Sequence, residues 1–379
     1  MPISRLSDEG SHMANPQYEK GKIALAYSKN QVKKAGECIR KKNGDIEKSI
    51  EIIQQYRAAH LYPLMIIKNL VWKHTQKINK NAIIARRLKR LPTIIDKLRR
   101  ETLDGITPNS IVVTRMSDIG GCRVILNNRD ELYELQASLN KSRTTHKTKK
   151  IRDYILEPKR SGYRGIHRIY NCYEKDKEHQ WKGFDIEVQL RTRLQHLWAT
   201  TIEIVDLCEG KALKTNPFNA DPRWNDFFFI MSEFFADEEG FIELNNETKN
   251  GYKKRLQFLN DSIGAFRKLR SFSTVFSSKE IDINKFEKNS LAVMVIETKK
   301  NKLSVLTRIY RGSARELALA HYASEEGKEN KNVLLVQVDD IRNIKVAYPN
   351  YIIDTSEFLT KLQKYISTTY WTAPVFRGR

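Results

Sequence analysis

The spacing of hydrophobic positions changes along the chain, and the changes divide it. From Tyr18 to about Glu101 apolar residues recur three and four apart, as at Ile46, Ile50, Ile53 and Tyr56, which predicts helices with one buried face. From Ile119 the pattern turns strand-like. Short β-rich runs at Ile119 to Leu126, Asp153 to Ile155, Ile166 to Tyr173 and Phe184 to Arg191 alternate with helical or polar segments. Helical spacing resumes from Thr192 to about Cys208, then from Pro222 to Phe272 with a break near Asn245 to Asn250. The tail begins a new β pattern. Leu291 to Thr298 and Leu303 to Tyr310 flank a turn-prone Lys-Lys-Asn-Lys as a hairpin, and Ala314 to Ser324 reads as a helix. After the polar loop Glu325 to Asn332, Val333 to Val338 reads as a buried strand, and a last helix spans Ser356 to Ile366.

These elements predict an α+β class built on a mixed β-sheet flanked by helices, plus a smaller α/β C-terminal unit. A length of 379 residues exceeds what one core usually serves, which predicts two domains. Residues 1–13 end in Gly10-Ser-His-Met13 and read as the scar of a cleaved affinity tag. The expected divisions are then 14–220 for the first domain, 221–275 for linking helices and 276–379 for the C-terminal domain. Hydrophobic residues at 40% suffice for packed cores. Lys and Arg outnumber Asp and Glu by 67 to 45, a formal charge of +22 that favours polyanionic partners or, equally, a well-solvated surface. Cys38, Cys122, Cys172 and Cys208 have no zinc-type spacing and read as reduced structural thiols. No apolar run approaches the roughly 18 residues of a membrane span, so a cytoplasmic protein without membrane contact is expected.

Four stretches carry candidate chemistry. In Phe184-Asp-Ile-Glu-Val-Gln-Leu-Arg191, strict alternation puts Ile186, Val188 and Leu190 on one face and Asp185, Glu187, Gln189 and Arg191 on the other. A solvated edge strand would look the same. Asp118-Ile-Gly-Gly-Cys-Arg123 places a carboxylate before a strand, two glycines that permit close backbone approach, and a guanidinium five residues on. Such a set suits a metal-bound triphosphate, since carboxylate oxygens are natural Mg²⁺ ligands and Arg neutralises phosphate charge. Arg86-Arg-Leu-Lys-Arg90 and Lys97-Leu-Arg-Arg100 put cations along a segment read as helical, whether for an anion or for water. Lys159-Arg-Ser-Gly-Tyr-Arg-Gly-Ile-His167 brackets one aromatic ring with cations, an arrangement suited to a stacked base and its phosphates. Neither GxxxxGK[ST] nor GxGxxG occurs, which excludes a P-loop or kinase-type phosphate loop by motif.

In this order, from about Ala82 to Lys214, the segments resemble the RelA/SpoT synthetase domain, whose fold is nucleotidyltransferase-like. The resemblance rests on Arg87-Leu-Lys89 with Thr93, Lys97 and Arg100, on Asp118 to Arg123, and on Asp153-Tyr-Ile with Lys159, Gly162-Tyr163 and His167. Its last part is Glu187-Val-Gln-Leu-Arg-Thr192 with Trp198-Ala199. It implies a pyrophosphokinase in which Arg87, Lys89, Thr93, Lys97, Arg100 and Arg123 grip ATP and Asp118 with Glu187 hold Mg²⁺. Glu187 would also take the acceptor's proton. Lys159, Tyr163, His167, Gln189 and Arg191 would form the acceptor side, with Tyr163 stacking on the acceptor. After Trp198-Ala199 the chain departs from the Glu-His and Tyr-Lys pattern of guanosine-alarmone synthetases, and its helical start holds no His-Asp hydrolase pair.

The long tail with Ala347-Tyr-Pro-Asn-Tyr351 is similar to that of the fused toxin-antitoxin group, CapRel. That resemblance implies a toxin acting on the 3′ CCA end of tRNA, a built-in antitoxin tail, and release by a phage protein such as the major capsid protein. Tyr348 and Tyr351 would be autoinhibitory, by occupying an adenine-stacking surface. Two core tyrosines at a strand start fit the same pattern. The alternatives are an alarmone synthetase with a free nucleotide acceptor, and an inactive synthetase fold acting as an RNA-binding or sensor module.

Overall fold

A computed structural model describes residues 22–89, 91–101, 109–175, 179–209, 221–266, 269, 290–299, 302–325, 328, 331–337 and 356–366. Three helices open it: α1 (Lys29–Lys41), α2 (Ile46–Ala59) and α3 (Leu61–Ile78). The Ser28 hydroxyl and the Gln31 side chain satisfy each other's backbone amides at the start of α1, and Asp45 caps α2. The expected periodicity is real in α2, where Ile53 and Tyr56 are buried.

The helical reading fails just beyond. Ile83–Leu88 is a strand, β1, and only Leu91–Arg99 is helical as α4. Arg86 to Lys89 thus form no cationic helix face, and Arg90 lies outside the described residues. The run's first residues pair antiparallel with β2 (Gly120–Leu126), with Arg86 opposite Cys122 and Arg87 opposite Gly121. Tertiary pairing here overrides local spacing.

After β2 come α5 (Arg129–Asn140), β3 (Lys147–Asp153), β4 (Ile166–Asn171) and β5 (Asp185–Thr192). The strand expected at Asp153 to Ile155 is shifted, because residues 154–156 form a turn and β3 precedes them. The five strands form one mixed sheet, ordered β1-β2-β5-β4-β3, in which β2 and β5 are parallel and the other pairs antiparallel. Cys122, Val124, Ile186, Val188 and Leu190 share a hydrophobic core with residues of α1 to α5.

A second core is helical and aromatic. It joins α6 (Arg193–Glu209), α7 (Pro222–Glu238) and α8 (Asn246–Ile263) around Trp198, Trp224, Phe227 and Phe228. The helix break comes earlier than the sequence suggests, at residues 239–245, and Asn245 caps α8 instead of interrupting it. In the tail, β6 (Leu291–Lys299) lies between β7 (Lys302–Tyr310) and β8 (Lys331–Gln337), with α9 (Arg315–Glu325) packed on the sheet. The last helix among the described residues, α10 (Ser356–Tyr365), adds Phe358, Leu359, Leu362 and Tyr365 to the core of α6 to α8.

Candidate active site

Sheet register builds the site. Parallel pairing sets Gly121 beside Glu187 and Arg123 beside Gln189, and antiparallel pairing sets His167 beside Gln189. Paired residues point to the same side of a sheet, so Arg123, His167, Glu187, Gln189 and Arg191 share one face. Gly121 lets β2 and β5 run close, since a Cβ there would lie 3.1 Å from the Glu187 carbonyl oxygen, tighter than an ordinary contact.

These side chains close into a hydrogen-bonded ring. Arg191 donates through Nε and Nη2 to the Tyr163 hydroxyl at 3.2 and 3.0 Å. With its oxygen so engaged, Tyr163 gives its own proton to His167 Nε2 at 2.5 Å. That fixes the tautomer: Nδ1–H of His167 donates to Glu187 Oε1 at 2.9 Å. The Gln189 amide donates to Glu187 Oε2 at 2.7 Å, and its own oxygen accepts from Arg191 at 2.8 Å and Arg123 at 3.4 Å. Burial lowers the His167 pKa and keeps the imidazole neutral. Burial pushes the Glu187 carboxyl up, but the hydrogen bonds from His167 and Gln189 outweigh it and hold the pKa below the ordinary value. Every arrow in the ring ends on an ionised Glu187.

A second group lies at the mouth of β2. Asp118 accepts from Lys89 Nζ at 3.0 Å and Lys97 Nζ at 3.2 Å. Burial raises its pKa, and the two ammonium groups more than reverse that and leave it ionised. The backbone amide of Lys89 donates to the Ile119 carbonyl at 2.7 Å, which ties β1's end to this loop. The charge of Asp118 also raises the Glu187 pKa, so the two carboxylates feel one another.

The structure thus gathers Lys89, Lys97 and Asp118 in one cluster and Arg123, Tyr163, His167, Glu187, Gln189 and Arg191 in another. Arg87 is placed by register alone, and Thr93 stands in the first turn of α4. Arg100 is exposed just past that helix. Tyr163 does not present an open ring, because it is only 4% exposed. Lys159 Nζ lies 4.9 Å from its centroid and 4.5 Å from that of Tyr154. Tyr348 and Tyr351 lie outside the described residues. Among the described residues no group of three His, Cys, Asp or Glu is disposed to hold a metal. Asp118 and Glu187 nevertheless offer two ionised, hard oxygen donors of the kind Mg²⁺ takes.

Residues 86–204 match the family described as a region found in RelA / SpoT proteins. This stretch is similar to that region. It begins within β1, ends within α6 and contains both clusters. Over 114 residues the chain is 32% identical to GTP pyrophosphokinase YjbM of Bacillus subtilis, covering 30% of this chain and 51% of that protein. GTP pyrophosphokinase YwaC of the same organism is 27% identical over 114 residues, 30% of this chain and 52% of its own. The chain spans about half the length of these curated relatives. Among solved structures, small alarmone synthetase 1 from Bacillus subtilis is 19% identical, with a TM-score of 0.39, covering 49% of this chain and 92% of that one.

Some residues around the site escaped the sequence reading. Arg164 stands inside the quoted loop, yet nothing in the sequence tells which way it faces. Its partner Glu233 and the neighbouring Ser232 come from α7, beyond residue 204, and carry no motif. Tyr154 packs edge-on to both Tyr163 and His167, and the sequence marks it only by its place in the resembling Asp153-Tyr-Ile stretch, without a role at the site.

Proposed function

We propose that the chain is an ATP-dependent pyrophosphokinase that moves the β,γ-diphosphate of ATP to the 3′-hydroxyl of a tRNA CCA end and so blocks translation. The observation that carries this reading is that Lys89 and Lys97 meet one ionised carboxylate, Asp118, whose charge reaches a second, Glu187, on the sheet face that also carries Arg123. Lys89 and Lys97 turn from Asp118 to the phosphates of ATP, joined by Arg87, Thr93, Arg100 and Arg123. Asp118 and Glu187 hold Mg²⁺, which when bound supplies neutralisation of phosphate charge. The acceptor 3′-oxygen attacks the β-phosphorus, the bond from that phosphorus to the α-phosphate's bridging oxygen breaks, and AMP leaves with the electron pair. Glu187, steered by His167 and Gln189, takes the hydroxyl proton. Most of the rate gain comes from alignment and charge placement.

β3 favours a long polyanionic acceptor. A register shift between Thr148 and Lys150 sets Lys150 opposite Ile169 and Arg152 opposite His167, on the same sheet face as Glu187. Lys147 and Lys149 line the same exposed edge strand. A track of cations beside the acceptor loop serves a long polyanion better than a single nucleotide. The names of the two curated relatives favour the other reading, a guanosine nucleotide as acceptor.

Control is assigned to the C-terminal region: Tyr348 and Tyr351 block the ATP site until a phage protein binds there, an arrangement that fits abortive infection. Because α10 shares the core of α6 to α8, cutting the tail away would damage the enzyme as well as release it. The test therefore uses the whole chain. The parent and a Tyr348→Ala, Tyr351→Ala variant are given β-labelled ATP with deacylated tRNA, GDP and GTP in parallel. Label on tRNA from the double variant alone supports the full reading. Label on GDP or GTP makes the chain an alarmone synthetase, and no transfer from either protein favours an inactive module.

A further inference from the structure

The loop that carries Tyr163 is braced from outside the matched stretch. At Gly162 (φ +86°) it runs so close to α7 that a Cβ would lie 2.9 Å from Ser232 Cβ and 3.1 Å from Phe229 Cα. Ser232 Oγ donates to the Gly162 carbonyl. Two residues on, Arg164 donates through Nη2 to Glu233 Oε1 at 2.6 Å and through Nη1 to the Ile155 carbonyl at 3.1 Å. The ion-paired side chains are 6% and 15% exposed. Tyr163 thus turns into the ring while its neighbour Arg164 is fastened to α7. Three loop amides bond locally: Gly162 to the Lys159 carbonyl at 2.8 Å, Lys159 to that of Tyr163 at 3.3 Å, and Tyr154 to that of Gly165 at 3.0 Å.

A buried ion pair is a weak source of net stability, because desolvation cancels much of its attraction, yet breaking it by removing one partner is costly. What it supplies is a unique geometry. We propose that Glu233 is a positioning residue that fixes, through Arg164, the loop that holds Lys159 on the acceptor side and Tyr163 in the hydrogen-bonded ring. The functional part of this inference rests on the pyrophosphokinase reading above. The mechanical part does not.

Hydrogen exchange on the full chain reads the brace directly. In Glu233→Ala, exchange at the Tyr154, Lys159 and Gly162 amides should quicken about tenfold or more, with β5 amides unchanged. Glu233→Gln, which keeps an oxygen acceptor for Arg164, should stay near the parent. Unchanged loop exchange, or a rise shared by all of α7 and β5, overturns the inference. In the Tyr348→Ala, Tyr351→Ala background, Glu233→Ala should raise the acceptor KM about tenfold and leave the ATP KM within about twofold. Equal shifts in both constants contradict a positioning role. Should the loop loosen as stated while the parent background transfers label to no acceptor, the pyrophosphokinase reading falls and the brace stands.

Discussion

The two faces of the five-stranded sheet are buried to similar degrees by opposite means. On one, Val188 and Leu190 are fully buried among the side chains of a hydrophobic core. On the other, Arg191 is 2% exposed and Glu187 side-chain exposure is 16%, each held by hydrogen bonds within the ring. The first face gains stability from removing apolar area from water. The second is stable only while its polar groups satisfy one another, since an orphaned buried charge costs several kcal/mol, roughly 3–5. Alternate residues of one strand therefore serve two ends, fold and chemistry, and substitutions should separate them.

The sharpest separation pairs neighbours on β5. Glu187→Gln should lower diphosphate transfer by on the order of 10²–10⁴-fold and cost only about 1 kcal/mol in unfolding, because its amide nitrogen can no longer accept from one of the two donors, His167 or Gln189. Leu190→Ala should cost about 2–5 kcal/mol in denaturant unfolding while its folded fraction keeps the parent kcat. If both variants lose stability alike, the division of labour between the faces is wrong.

The aromatic core offers a second contrast, because α10 is remote in sequence from the helices it joins. Phe358 packs within 6.3 Å, centroid to centroid, of Phe227, Phe228 and Phe235. Around it Arg193 pairs with Glu357 at 2.8 Å, and the Tyr365 hydroxyl donates to Glu238 at 2.7 Å. Phe358→Ala should destabilise the chain by about 3–5 kcal/mol, whereas Arg193→Ala, an exposed pair, should cost under about 1 kcal/mol. Thermal melts of the two variants check the ranking.

On the charged face's rim the expected effect is smaller and selective. Lys150→Glu with Arg152→Glu should weaken tRNA binding about tenfold at moderate salt and lower its salt slope by about 2, with GDP binding unaffected. Equal loss for both ligands would remove the polyanion track.

The smallest effect concerns Glu239, at the end of α7, which accepts from the Thr192 hydroxyl at 2.8 Å. Burial pushes its pKa up to about 7 from an ordinary 4.5. The folded state thus binds a proton that the unfolded state has released, so this group's contribution to stability falls as pH rises from about 4.5 to 7. Glu239→Gln should raise the melting temperature at pH 8 by a few degrees, about 3 °C, and that gain should shrink by half or more at pH 5.

How far the sequence could be read follows the same faces. The alternation in β5 was visible because one face is apolar and the other charged, and β2 and β4 were visible for their apolar runs. β1 and β3 were not. Both are edge strands: Arg86 and Arg87 in one belong to a run whose cations suggest a helix face, and Lys147 to Arg152 in the other carries cations without strand alternation, further blurred by its register shift. The candidate site was legible where ligand chemistry is written in residue type, as at Asp118, Glu187 and the lysines. The hydrogen-bonded ring and the α7 brace depend on register and on contacts 69 residues apart, which local spacing does not encode.

The central claim is that this face moves a diphosphate, and the nucleotide left behind tests it most directly. ³¹P NMR of ATP with the Tyr348→Ala, Tyr351→Ala chain, Mg²⁺ and deacylated tRNA should show AMP appearing as ATP is lost, with no ADP, and no change when Glu187→Gln is added. ADP with free phosphate, or AMP formed at an undiminished rate with Glu187→Gln, would contradict the account.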